Sequence, residues 1–401
     1  MDKPNSQQPN TPPGKKKSRI LLRLVLFLLA LAMILAAVAA VAFRDTVNPD
    51  SVKRWFHYRT LVLSDSGQAE AFLYDGDLTD TFAVLDGDLL VCSPNAISLY
   101  SGSGTRYVNQ SVSLDRPVVD TNGSLAVVYD AGGSSLYVLG QRELIWSADD
   151  LDTILSARLN QNGQLCVVTQ ASGYRGVVTV YDAAYKPVMS VRLSSAFVMD
   201  AALSDNGHTL AIVTVGQQSG DFSSALSLYT VNAASGSTGI AADFVPDRTF
   251  SLGGNTVLSL RHTAGETWAL CDRGLSVLTH SGGQTAYDWS NRHLKAFDVS
   301  GDGFAVVLLG KYRAGSQAVL TSIGRDGTAL GSLDVDEQIL ALSAAGRYFA
   351  VLSGDRLDIY KSDMTLYSTL DGTQGARKVL LMEDGSAILL STDSARFYVP
   401  A

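Results

Sequence analysis

The marks of most catalytic and metal-dependent proteins are missing from this chain. Its three cysteines, Cys92, Cys166 and Cys271, contain no CxxC pair and no ligand spacing, which argues against a zinc ribbon or a dithiol redox centre. An odd number spread over distant repeats also fits no disulfide framework, so they read as small buried hydrophobes. The five histidines, His57, His208, His262, His280 and His293, show neither HxH nor HExxH spacing, and no zinc motif is expected. Gly102-Ser103-Gly104 lacks the third glycine and the following helix of a phosphate-binding turn. No cofactor and no metal are expected.

Positive charge is scarce outside the N-terminus. Against a whole-chain charge of −8, residues 1–23 carry six basic side chains and Asp2, a net of +5, leaving −13 for the rest. An acidic folded portion repels phosphate backbones, which excludes nucleic acid as an expected partner. Charged residues make up only 17% of the 401, and the apolar 46% is broken into short runs with one exception.

That exception is Leu24–Phe43, 20 residues without a charge. At 1.5 Å per residue it is long enough to cross a hydrocarbon core of ~30 Å. Lys15-Lys16-Lys17-Ser18-Arg19 precedes it, whereas Arg44, Lys53, Arg54 and Arg59 on the far side are dispersed among Asp45 and Asp50. The positive-inside bias places a transmembrane helix over 20–43, with the N-terminus in the cytoplasm and the bulk of the chain outside. A cleaved signal peptide is the competing reading, because Ala40-Val41-Ala42 resembles a cleavage site, although its apolar core would be unusually long. Residues 1–19 read as a disordered basic tail. Over 44–60, Asn48-Pro49-Asp50 opens a short amphipathic helix carrying Val52, Trp55, Phe56 and Arg59, or an ordinary linker.

Glycine is plentiful and periodic from residue 61 onward. Gly87, Gly123, Gly163, Gly207, Gly265, Gly303, Gly346 and Gly385 recur at a mean spacing of about 43 residues, the length of a four-stranded propeller blade. Six of them sit in Asn-Gly or Asp-Gly pairs, such as Asp86-Gly87 and Asn162-Gly163, which supply the positive φ of a tight hairpin turn. Ala264-Gly265 and Ala345-Gly346 are weaker versions. An apolar second strand follows seven of the turns, as in Leu125–Tyr129 and Leu165–Thr169, and suits a strand covered on both faces. An apolar-tyrosine pair then marks most third strands: Tyr100, Tyr137, Tyr181, Tyr229, Tyr360 and Tyr398. The last repeat ends without a fourth strand, and Ala69–Tyr74 precedes the first repeat with no blade of its own. That segment is expected to complete blade 8 and seal the ring. The fold class is therefore all-β, an eight-bladed propeller over 61–401. Seven blades is the alternative, since blade 5 is least regular and follows the longest gap.

These repeats resemble the WD40-like, YVTN-like and quinoprotein-like propellers. With the apolar run and basic tail, the chain is similar to membrane-anchored propellers of unknown function from Firmicutes, a resemblance that implies no activity. The docking motifs of a quinoprotein dehydrogenase are missing around Trp55, Trp146, Trp268 and Trp289. Gly265-Glu266-Thr267-Trp268 matches only the tail of a sialidase Asp box. Asp75-Gly76-Asp77-Leu78-Thr79-Asp80 spaces its oxygens as calcium loops do but lacks their later glycine and glutamate, and reads as a solvated acidic turn.

Binding residues are sought instead on the loops between second and third strands and on the connections between blades, which share one face. The loops offer Tyr174 and Arg175, Asp221 and Phe222, and Lys311, Tyr312 and Arg313. The connections offer Trp146, Asp149 and Asp152, and Trp289, Arg292 and His293. Exposed aromatics beside charges suit protein or glycan contacts. The expected function is a membrane-tethered, non-catalytic scaffold or sensor for envelope proteins or glycans. The alternative is a lactonase- or glycosidase-like hydrolase with acidic groups at the channel mouth.

Overall fold

The computed structural model describes residues 23–28, 30, 31, 33, 49–218, 220–231, 244–263, 265–279, 281–289 and 291–400. The basic tail, most of the 20–43 run, Ala264 and His280 lie outside them. Among the described residues no helix is long and apolar enough to cross a membrane. The chain divides into two compact units, Met1–Phe56 and His57–Ala401. Helix α1, Pro49–Tyr58, begins on the expected proline, whose missing N–H costs nothing in a first turn. Asp50 sits in that turn, where a carboxylate suits the positive end of the helix.

The second unit is a ring of eight four-stranded antiparallel sheets, so the seven-bladed alternative is excluded. The inner strands are Thr81–Leu85, Pro117–Thr121, Thr153–Leu159, Phe197–Leu203, Val257–Thr263, His293–Gly301, Ala341–Ala345 and Lys378–Leu381. In seven blades the strands follow in chain order from inside to outside. All eight repeat glycines stand in the turn after the inner strand with positive φ, from 53° at Gly346 to 95° at Gly123, which a side chain would resist.

Blade 8 is completed from the other end of the chain. Phe72–Leu73 pairs with the third strand, Ser394–Tyr398, through Phe72↔Ala395 and Leu73↔Ser394, and Gln68 bridges Tyr398. The backbone N–H of Ala69 donates to the Phe397 carbonyl at 2.9 Å, and that of Val399 to Gly67 at 2.8 Å. The expected strand over Ala69–Tyr74 thus forms the seam, with regular pairing confined to two residues. Tyr58 adds to it, its hydroxyl lying 2.7 Å from Ser386 Oγ and 3.2 Å from Met382 Sδ.

The hydrophobic core is not one body but eight layers, each shared by two neighbouring blades. Between blades 3 and 4, Val168, Val178 and Val180 meet Val198, Ala201 and Ile212. Between blades 8 and 1, Ile388, Leu390 and Phe397 meet Leu89, Val91 and Tyr100. No blade can bury its faces alone, which is why the repeat requires closure. The cysteines are buried free thiols, as expected. Burial pushes Cys166 up to about 12 and Cys271 to about 11, leaving no reactive thiolate.

Two sequence markers deviate in the structure. Tyr100, Tyr181, Tyr229 and Tyr398 pair with the first core residue of the second strand, for example Leu89↔Tyr100 and Leu165↔Tyr181, while Tyr360 pairs with the second, Phe349, behind Tyr348. In blade 2 that place opposite Leu125 belongs to Gly140, and Tyr137 stands three residues earlier, where its hydroxyl donates to Asp149. Blade 4 has no long loop between its second and third strands. Thr209–Gln218 and Asp221–Thr230 pair all the way to Gln218↔Asp221, because Gly220 closes a short turn at φ 95°.

Asp88, just past the blade 1 turn, is buried and accepts from Arg142 Nε at 2.9 Å, tying blade 1 to blade 2. Burial raises its carboxyl pKa, with Arg142 working against that shift. A carboxyl raised on folding contributes stability below its unfolded pKa and loses it as pH rises through the folded value. Asp88→Asn, which cannot ionise, should therefore gain stability relative to the parent as pH rises. Urea unfolding of both proteins at acidic and neutral pH checks this, and a difference independent of pH would refute it.

Candidate functional site

Strand pairing puts the second-to-third-strand loops and the blade connections on one face. In blade 6, for instance, His293 pairs with Gly310, and Ala318 with Val335, at the same end of the sheet. Of the residues read from sequence, Asp149, Asp152, Tyr174, Arg175, Asp221, Phe222, Arg292, His293, Lys311, Tyr312 and Arg313 are exposed there. The Arg175 guanidinium lies 4.7 Å from the Phe197 ring centroid, and Lys311 Nζ lies 5.3 Å from the ring of Tyr312. Arg192 covers Tyr174 at 5.5 Å. Asp221 and Phe222 stand at the tip of the blade 4 hairpin rather than in a loop.

Both tryptophans depart from the expected exposed rim. Trp289 is buried in the layer between blades 5 and 6, where its indole N–H donates to the Asp272 carbonyl at 3.1 Å. Trp146 belongs to the outer strand Glu143–Ala148 and stacks on Tyr185 with centroids 5.1 Å apart and planes at 13°. Each ring covers apolar surface at a blade boundary, which an isolated aromatic between charges does not reveal. Among the remaining candidates, Asp149 accepts from Tyr137 at 3.1 Å, so it has a structural partner.

The channel holds a feature that sequence reading missed. Charged side chains on the inner strands of blades 2 to 5 form a chain of contacts, and Asp298 on that of blade 6 is held by backbone N–H groups. Arg158 Nη2 meets Asp200 Oδ2 at 2.6 Å, and its Nη1 lies 3.7 Å from Asp120 Oδ1, which Arg261 also reaches at 3.3 Å. Asp120 Oδ2 accepts the Leu159 N–H at 3.0 Å, and Asp298 Oδ2 accepts that of Ala344 at 2.9 Å, each crossing to the next blade. Burial pulls the Arg158 guanidinium down, but Asp200 and Asp120 outweigh it and hold the group charged. Asp298 is raised chiefly by burial. The signal in sequence is faint: each member falls three to seven residues before its repeat glycine, and only alignment by blade brings them together.

Three of these carboxylates are engaged by arginine or backbone N–H groups, so the arrangement is a structural clasp rather than a cluster of free acids. Among the described residues no group of three His, Cys, Asp or Glu side chains could hold a metal ion. In the acidic turn, Asp77 Oδ1 accepts the Thr79 N–H at 2.7 Å, Asp80 Oδ2 accepts the Asp77 N–H at 2.9 Å, and Asp75 pairs with Arg106. Those oxygens cap their own loop, which accounts for their alternate spacing.

Known structures share this architecture at low identity. BamB from Moraxella catarrhalis is 16% identical, with a TM-score of 0.50 covering 84% of this chain and 100% of that one. The C-terminal WD40 domain of Sif2 is 12% identical, with a TM-score of 0.54 covering 82% and 100%. Comparison with curated protein sequences gives no match. A family profile, described as a family of unknown function, matches residues 73–394, which is nearly the whole ring. The chain is an eight-bladed β-propeller that belongs to the DUF5711 family.

Proposed function

We propose that the protein is a membrane-tethered, extracytoplasmic propeller whose loop-bearing face binds an envelope protein or glycan, without catalysing a reaction. The observation that carries this reading is the pairing of exposed rings with cations on that face, Arg175 with Phe197 and Lys311 with Tyr312. Such pairs present apolar area and charge together, as protein contacts do. The tether rests on the charge-free run Leu24–Phe43 and the basic cluster before it. The hydrolase alternative loses ground because the channel carboxylates Asp120 and Asp200 are committed to Arg158 and Arg261.

Two measurements test it. Protease added to intact spheroplasts should degrade the C-terminal bulk; full protection would overturn the placement outside. Full-length protein cross-linked in cells should capture an envelope component, and Phe222→Ala/Tyr312→Ala should lose it. Hydrolysis of a lactone or glycoside by the purified chain would instead favour the enzyme.

A further inference from the structure

Four consecutive inner strands carry the same irregularity. In blades 3, 4, 5 and 6 one extra residue interrupts the pairing of first with second strand near its start: Leu155, Met199, Leu258 and Lys295. The corresponding ladders of blades 1, 2, 7 and 8 run without a shift. A bulge turns a side chain out of the alternation that would otherwise send it into the sheet's packed faces. Ile154 and Ser156 on either side of Leu155 are buried, as is Val198 beside Met199. The extra residues are not: Leu155 is 37% exposed, and Met199 and Leu258 are each 47% exposed. Phe197, 50% exposed, joins them at the start of the blade 4 strand. A free strand edge lining the channel leaves these apolar groups at its mouth, on adjoining inner strands.

The charge around this half of the rim is net positive, with Asp221, Asp272 and Asp288 as its carboxylates and Asp272 paired with Arg273. Arg175, Arg292, Lys295, Lys311 and Arg313 belong to blades 3 to 6, and Lys295 spends its ammonium on the Gly315 carbonyl rather than on a carboxylate. Asp149, Asp150 and Asp152 on one flank, and Asp334, Asp336 and Glu337 on the other, bound it with opposite charge. The blade 4 hairpin extends three residue pairs past Phe197↔Val215, and so stands about 10 Å above the apolar groups at ~3.3 Å per residue. A flat bilayer is kept off them, whereas a single extended chain can pass.

Resting on the binding reading above, we propose that the bulged inner strands of blades 3 to 6 dock an acidic peptide segment of a partner protein. Large apolar side chains of that segment cover Leu155, Met199 and Leu258, while its carboxylates meet Arg175 and Lys311. The acidic flanks set its direction by repulsion.

The test uses full-length protein in nanodiscs against a displayed library of random twelve-residue peptides. Enriched sequences should combine Asp or Glu with Leu, Ile or Phe, and a synthetic peptide of that kind should bind saturably and more weakly at high salt. Leu155→Glu/Met199→Glu should weaken it by at least about tenfold, and Arg175→Gln/Lys311→Gln by a smaller factor. Leu366→Glu, at an exposed site on an outer strand of blade 7, should leave it unchanged. The variants replace exposed groups, and an unaltered melting curve establishes that they fold; Leu155→Ser/Met199→Ser serves should the glutamates disturb it. Enrichment of basic peptides, no enrichment, or binding indifferent to both channel variants would overturn the proposal. So would displacement of the peptide by an N-acetylglucosamine oligomer or by phosphatidylglycerol vesicles. If cellular cross-linking still captures an envelope component in Leu155→Glu/Met199→Glu, this docking mode falls and the broader binding reading stands; if nothing is captured even by the parent, both fall.

Discussion

Phe397→Ala is expected to destabilise the propeller by about 3–5 kcal/mol, the cost of emptying a fully buried aromatic site. Phe397 is 0% exposed and lies in the layer where blade 8 meets blade 1, with Leu89, Val91 and Tyr100 across the boundary. Phe72 approaches it with ring centroids 6.4 Å apart, so the residue touches the strand that closes the ring as well as the neighbouring blade. The loss is large because a closed propeller has no slack: opening one layer exposes two sheet faces together. Leu73→Ala removes a side chain from the same seam that is 73% exposed, and should change stability by no more than about 0.5 kcal/mol. Urea unfolding of the two variants makes the comparison. Equal effects would mean that the backbone pairing, and not the buried layer, holds the seam.

The second large effect is expected at Arg158. Arg158→Met keeps much of the side chain's bulk but removes the cation held between Asp200 and Asp120. Breaking a largely buried pair from one side leaves uncompensated charge, a loss of about 3–5 kcal/mol. Asp120 retains Arg261 and the Leu159 N–H, so the greater penalty falls on Asp200. Arg158→Met/Asp200→Leu should recover most of the stability, because an apolar pair of similar volume carries no desolvation cost. A double variant as unstable as the single would show that Arg158 acts through packing alone. Both proteins should keep the β-sheet circular dichroism of the parent, since the eight hydrophobic layers remain.

The two effects illustrate different degrees of legibility in the sequence. The seam could be read because a missing last strand and a spare segment before the first repeat are linear facts, and only one closed arrangement satisfies both. The clasp could not. Asp120, Arg158, Asp200 and Arg261 look like ordinary surface charges until the ring brings their strands side by side, and their spacing from the repeat glycine varies with the length of each turn. Trp146 and Trp289 show a related effect: an aromatic between charges reads as exposed, yet Trp289 is buried and Trp146 is half-buried against Tyr185 of the next blade. The bulges at Leu155, Met199, Leu258 and Lys295 left no mark either, since one extra residue disappears within the ordinary variation in blade length.

What the sequence determined by itself was periodic: glycine at each tight turn where φ must be positive, apolar runs for strands covered on both sides, and two incomplete ends that complete each other. Those are local demands of backbone and solvent, repeated eight times. Tertiary structure alone decided which charges meet in the channel, which rings are covered and where apolar groups face outward. These depend on contacts between blades some 40 residues apart, and hence on the closure of the ring rather than on any single repeat.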